Sequence, residues 1–170
     1  HRLQSANPRA WLVGESEVVD DASALQRLAD QNFDLAKIAL LSPESTPLAL
    51  DLEPGKSEIG LQRVASNQLH VKISSANGGL LILSENWMPG WQVRNLQEIA
   101  NATGCSTQPT QPIDNAFSVQ RADLTLLGIP VLPCAWEFDL LYFPDSVRYG
   151  LWLSAGTLAM LLLAFVWLQA

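Results

Sequence analysis

The stretch YGLWLSAGTLAMLLLAFVWLQA, Tyr149 to Ala170, decides the architecture. Its 22 residues include no charged side chain. At the helical rise they extend roughly 33 Å, close to the thickness of a bilayer's hydrocarbon core. Inside lipid, an isolated segment satisfies its backbone polar groups only as a helix. Tyr149 and Trp152 at one end, and Trp167 at the other, stand where interfacial aromatics collect. A buried core helix rarely stays apolar on every face over such a length. The reading is a C-terminal transmembrane helix over 149–170, a short linker over 144–148, and a water-facing domain over 1–143.

That domain is long enough for one real core. With 17 Asp and Glu against 10 Lys and Arg, the net charge is -7. Nucleic acid needs clustered positive charge, so no nucleic-acid partner is expected. The chain opens on His1 without a charged n-region and apolar h-region. Either a signal peptide has been removed or, as preferred here, these residues are the tail of a longer polypeptide.

Within the domain, period-two alternation dominates. Ala10–Val13 forms a short apolar strand, and Asp20 and Asp21 offer caps to a short amphipathic helix whose apolar face is Leu25, Leu28 and Ala29. Residues 36–41 make another strand. Leu69, Val71 and Ile73 alternate with His70, Lys72 and Ser74, a half-buried strand. Asn77-Gly78-Gly79 is a turn, and Leu80–Leu83 is apolar on both faces, hence a central strand. Trp91 and Val93, then Phe117 and Val119, alternate with polar residues. Trp136, Phe138, Leu140 and Tyr142 do the same until Pro144. Seven or eight such strands with one helix predict a mainly β chain folded as an antiparallel β-sandwich.

The segment SENWMPGW, Ser84 to Trp91, resembles part of the C-terminal extracytoplasmic domain of YfhO-type bacterial membrane proteins. These are multi-pass proteins similar to the GT-C class of lipid-linked-sugar glycosyltransferases. Pro8-Arg9-Ala10, Leu28-Ala29-Asp30, Asn115-Ala116-Phe117, and Phe138, Tyr142, Pro144 and Gly150 follow in the same order. The chain departs from the family pattern in the longer polar loop over 95–112 and in Pro133-Cys134-Ala135. The family's presumed catalytic carboxylates lie in loops between earlier spans, outside these residues, so the resemblance implies no transferase activity here. It implies a bacterial cytoplasmic membrane with the domain on the extracytoplasmic, periplasmic side. Arg148 beside the span, taken alone, favours the opposite orientation. One arginine weighs little against the resemblance and two cysteines.

Those cysteines, Cys105 and Cys134, are separated by 28 residues and could pair in an oxidising compartment. Two unrelated loop cysteines are the alternative. Catalysis finds few candidates. The only histidines are His1 and His70, with no metal-ligand spacing and no cofactor motif. Glu137 and Asp139 share a strand face and read as a solvated stripe. No enzyme activity and no cofactor are expected.

Two functions remain. The first is an accessory or structural subunit of a larger membrane complex, an electron-transfer complex being one host. Small-xxx-small pairs, Gly150 with Ser154 and Ala155 with Ala159, would pack its helix against other subunits in the bilayer. The second is a carbohydrate- or lipid-linked-sugar-binding module, in which Trp87 and Trp91 stack on sugar while Glu85 and Asn86 bond its hydroxyls. A purely structural role for the same four residues is the simpler reading: Pro89 and Gly90 make the turn, and the tryptophans fill space.

Overall fold

A computed structural model of the chain describes residues 8–45, 57–99 and 116–169. The described residues form ten strands and two helices. Strands β1 (Ala10–Val13), β2 (Glu15–Val18), β3 (Ile38–Leu41), β6 (Gly79–Asn86), β8 (Gln120–Ala122) and β9 (Leu126–Val131) make a six-stranded sheet, ordered β1-β6-β9-β8-β3-β2. Strands β4 (Ser57–Ala65), β5 (Gln68–Ser75), β7 (Trp91–Glu98) and β10 (Cys134–Tyr142) make an antiparallel four-stranded sheet, ordered β4-β5-β10-β7. The chain is mainly β, as expected, with a sandwich-like pairing of two sheets.

The six-stranded sheet is bent. Only Gly14 separates β1 from β2, yet they terminate the two ends of the strand order. Two residues reach at most about 7 Å, whereas five strand spacings of a flat sheet cover about 24 Å. The sheet therefore curls until its ends meet. Its concave side holds a small core of Trp11, Val13, Ala39, Leu41, Leu80, Ile82 and Ala122. The opposite face packs on the four-stranded sheet through Leu12, Leu81, Leu83, Leu127 and Ile129 against Leu69, Val71, Ile73, Phe138 and Leu140. Strand β6 thus places alternate residues in two cores, which is why Leu80–Leu83 is apolar throughout.

Between β2 and β3, which pair in parallel, lies helix α1 (Asp21–Ala29). Asp20 caps it, its side chain accepting from the Ser23 N–H at 2.7 Å, and that bond holds the Asp20 carboxyl below the usual carboxylate range. The expected apolar face is off by one residue. Ala24 is buried and Leu28 half-buried, whereas Leu25 and Ala29 are exposed.

Glycines mark the places where the chain passes between sheets. Gly78, at φ +76, lies between β5 in one sheet and β6 in the other; a Cβ there would sit 2.6 Å from the Val131 carbonyl oxygen. Gly90, at φ +118, lies between β6 and β7 on the way back. Both conformations favour residues without a Cβ.

After β10 only Phe143 and Pro144 precede helix α2 (Asp145–Gln169). Residues 145–148, expected as linker, are instead its first turn, with the Pro144 carbonyl accepting from the Val147 N–H at 3.0 Å. Asp145 suits the positive end of the helix dipole, so the polar residues extend the helix rather than interrupt it. Helix α2 is long and apolar enough to cross a membrane, and none of its side chains is buried.

One expected strand also changes. Phe117 takes φ +60 and its N–H donates to the Pro130 carbonyl at 2.8 Å. The alternation over 117–120 is reset there, so Phe117 and Gln120 both turn inward and β8 begins only at Gln120.

Candidate functional site

The residues of the SENWMPGW segment separate into structural and open positions. Glu85, on β6, accepts from Arg9 and, at 2.8 Å, from Arg63 on β4, so one carboxylate ties the two sheets together. Trp91 is half-buried at the start of β7. Its ring centroid lies 5.2 Å from that of Tyr142, and its indole N–H donates to the Asn86 carbonyl at 3.2 Å. Gly90 is pressed against the start of α2, where a Cβ would fall 2.6 Å from the Pro144 Cα. Its carbonyl accepts from the Phe143 N–H at 2.9 Å. The turn is a fitting between the sandwich and the helix, and Glu85 and Trp91 are committed to it.

Trp87 is also half-buried and packed against the main core, but it borders open space as well. Its backbone N–H donates to the Thr125 carbonyl at 2.7 Å, and the residue lines a cavity of about 610 Å³. Ser42, Glu44, Ser45, Ser118, Gln120 and Arg121 share the wall. This volume falls within the range of small-ligand pockets, about 300–1,000 Å³. The wall carries one charge of each sign, Glu44 and Arg121, and Arg121 is paired with Asp21. Gln120 is 7% exposed; its Nε2 donates to Ser118 Oγ at 3.2 Å, while its carbonyl Oε1 is buried without a hydrogen-bond partner. A buried acceptor left unpaired costs about 1–3 kcal/mol. Sequence reasoning placed Gln120 on a solvated face and missed this wall, whose residues come from three separate parts of the chain.

A second buried acceptor sits in the turn between β8 and β9. Asp123 Oδ1 accepts from the Leu40 N–H at 2.9 Å, and Oδ2 is buried without a partner. Burial pushes its carboxyl up to about 6, against the opposing Leu40 bond. It fixes β3 to the β8–β9 turn.

The outward face of β5 and β10 carries an ion network. His70 Nδ1 lies 2.8 Å from Asp139 Oδ1, and Nε2 lies 3.1 Å from Glu137 Oε1. Lys72 reaches Glu137 at 3.1 Å, and Asn95 donates to Asp139 at 2.7 Å. The His70 contact first, and Asn95 second, hold the Asp139 carboxyl below its usual range. The antiparallel register opposes His70 to Asp139 and Lys72 to Glu137, so the expected solvated stripe is a cross-strand set of pairs. Among the described residues, no group of three or more His, Cys, Asp and Glu is arranged to hold a metal ion.

Cys134, at φ +98 where β10 begins, is disulfide-bonded. The sequence has one other cysteine, Cys105, which lies outside the described residues, as does His1. On α2, the two small-residue pairs do not form one side. At 3.6 residues per turn, Gly150 and Ser154 lie roughly 140° around the axis from Ala155 and Ala159. A partner helix would meet one pair or the other.

No family model matches the chain, and neither a curated protein nor a solved structure matches it.

Proposed function

We propose that this chain is a membrane-anchored, non-catalytic sandwich module that works through protein contacts as an accessory or structural part of a larger membrane assembly. On this reading the sandwich stands on the extracytoplasmic face of a bacterial cytoplasmic membrane, consistent with the resemblance to YfhO-type proteins. The junction carries the proposal. Strand β10 runs into α2 through two residues, and the Gly90 turn packs against Pro144. A helix fixed to its domain in this way holds the sandwich at one height and heading. A purely tethering helix would not need such a fitting. The side chains of α2 are all exposed within the chain, as suits a helix that meets lipid or other spans.

Two double variants test this role, one for each helix face: Gly150→Leu with Ser154→Leu, and Ala155→Leu with Ala159→Leu. Both keep the segment insertable, and each holds a partner helix away from one side. Loss of co-purifying membrane proteins in one variant and retention in the other supports the role. Retention in both, with wild-type association, would mean that contacts rest on the sandwich alone.

The cavity beside Trp87 supports a second reading, binding of an uncharged saccharide. A sugar's C–H face stacks on an indole, and its hydroxyls can bond to the serine oxygens of the wall, of which Ser118 is held by the Gln120 amide. Gln120→Leu separates ligand binding from architecture. Under this reading it lowers affinity for an oligosaccharide, at least tenfold, while the melting temperature holds or rises because an unpaired acceptor is gone. A lower melting temperature with no saccharide bound by the wild type would make Gln120 a structural residue.

A further inference from the structure

We infer that the end of the sandwich from which α2 leaves is a lipid-contacting surface, whose exposed apolar side chains enter the headgroup layer beside the helix. The inference rests on the reading of α2 as a membrane span.

Three turns meet at this end. The β4–β5 turn is held by Asn67, whose carbonyl accepts from the Tyr142 N–H at 2.8 Å and whose side chain donates to the Tyr142 carbonyl at 3.2 Å. The β6–β7 turn is held by Gly90 on Pro144 and by Met88, whose sulfur lies 3.9 Å from the Tyr142 hydroxyl. The third is the β10–α2 junction itself. Large apolar side chains are exposed in or next to these turns: Val64, near the end of β4, at 57%, Met88 at 51% and Phe143 at 36%. Among the described residues, the other exposed large apolar side chains of the domain, Val18, Leu25, Leu96 and Ile99, are spread over β2, α1 and β7 and its end.

Height decides what covers these three. Helix α2 has 25 residues, about 37 Å, against a hydrocarbon core of about 30 Å. Asp145 and Arg148 keep the first turn out of hydrocarbon, so the apolar crossing begins near Tyr149. Residues 145–148 then rise about 6 Å, and a headgroup layer is about 5–8 Å deep on each side. Phe143 and Pro144 therefore lie at its outer boundary, and the neighbouring turns project toward the same plane. Charge agrees with this placement. Arg9 and Arg63 share the single carboxylate of Glu85 at this end, a local balance of +1 on a chain whose net charge is -7.

The test uses the full chain in nanodiscs of phosphatidylethanolamine and phosphatidylglycerol. Single cysteines replace Val64, Met88, Leu25 or Leu158, and each carries an environment-sensitive NBD fluorophore. Lipids with a doxyl quencher at a shallow or a deep acyl position report depth. The Val64 and Met88 labels should be quenched more by the shallow quencher than by the deep one, at the depth of about 5–10 Å typical of interfacial side chains. The Leu25 label on α1 should be unaffected, and the Leu158 label should favour the deep quencher. Quenching at Leu158 with none at Val64 and Met88 would overturn the surface and leave the span standing. Absence of quenching at Leu158 would overturn the span as well.

Discussion

Asp123 gives the structure its clearest pH dependence. It is 6% exposed, with one carboxylate oxygen bonded to the Leu40 N–H and the other unpaired. Its pKa is raised from 3.8 to about 6. Between those values the folded state keeps a proton that the unfolded chain has lost. Stability from this group therefore falls as pH rises through the window, and its full cost is reached above pH 6. From pH 7.5 down to pH 5 the folded state should gain roughly tenfold in its equilibrium, about 1.4 kcal/mol. For a domain of this size that is roughly 4–5 °C in melting temperature. Asp123→Asn retains an acceptor for Leu40 and cannot ionise, so the variant should lose this part of the shift. The assay is thermal unfolding of the full chain in nanodiscs at pH 5 and 7.5, wild type beside variant. Equal shifts in the two proteins would show that Asp123 titrates normally and that its burial is not as described.

Two further substitutions address the fittings of the fold. Gly90→Ala places a Cβ against the Pro144 backbone and forces φ +118 on an L-residue. It should destabilise by about 1–3 kcal/mol from backbone strain alone, seen as a lower melting temperature; an unchanged one would show that the turn does not press on the junction. Cys134→Ser removes the disulfide and should cost about 2–4 kcal/mol. Unfolding of the variant should then match that of reduced wild type, and a reductant that leaves wild-type melting unchanged would remove the disulfide from the account.

The sequence made some of this structure readable and hid the rest for physical reasons. Strands β5, β6 and β10 were legible because burial on one face imposes alternation and burial on both imposes a continuous apolar run. Helix α2 was legible because no charge interrupts it for 22 residues, although its start was not: a helix terminus tolerates Asp145 and Arg148 as readily as a linker does. Strand β9 was missed because Gly128 and Pro130 break its apolar pattern, and both face the tight concave side of the curled sheet, where a Cβ on Gly128 would sit 3.1 Å from that of Ala122. The curl depends on which strands close the sheet, a long-range choice that no local period encodes. At the candidate site, Trp87 stood out in sequence, but Glu85 and Trp91 beside it proved to be joints. Gln120 was hidden by the positive φ of Phe117, which turns an apparent outward residue inward. Asp123 left no signal: Gln120-Arg121 before it and Thr125 after it read as a polar turn, and its φ of +46, which Asp tolerates, appears only in the fold.

The central claim is that α2 crosses the membrane and leaves the sandwich outside. Leu25→Cys puts a thiol at a 63%-exposed position on α1, remote from the helix junction. A membrane-impermeant maleimide applied to intact spheroplasts expressing that variant should label it fully, and the protein should stay in the membrane fraction after alkaline carbonate extraction. Labelling confined to inverted vesicles would place the sandwich inside, and release by carbonate would deny the span itself.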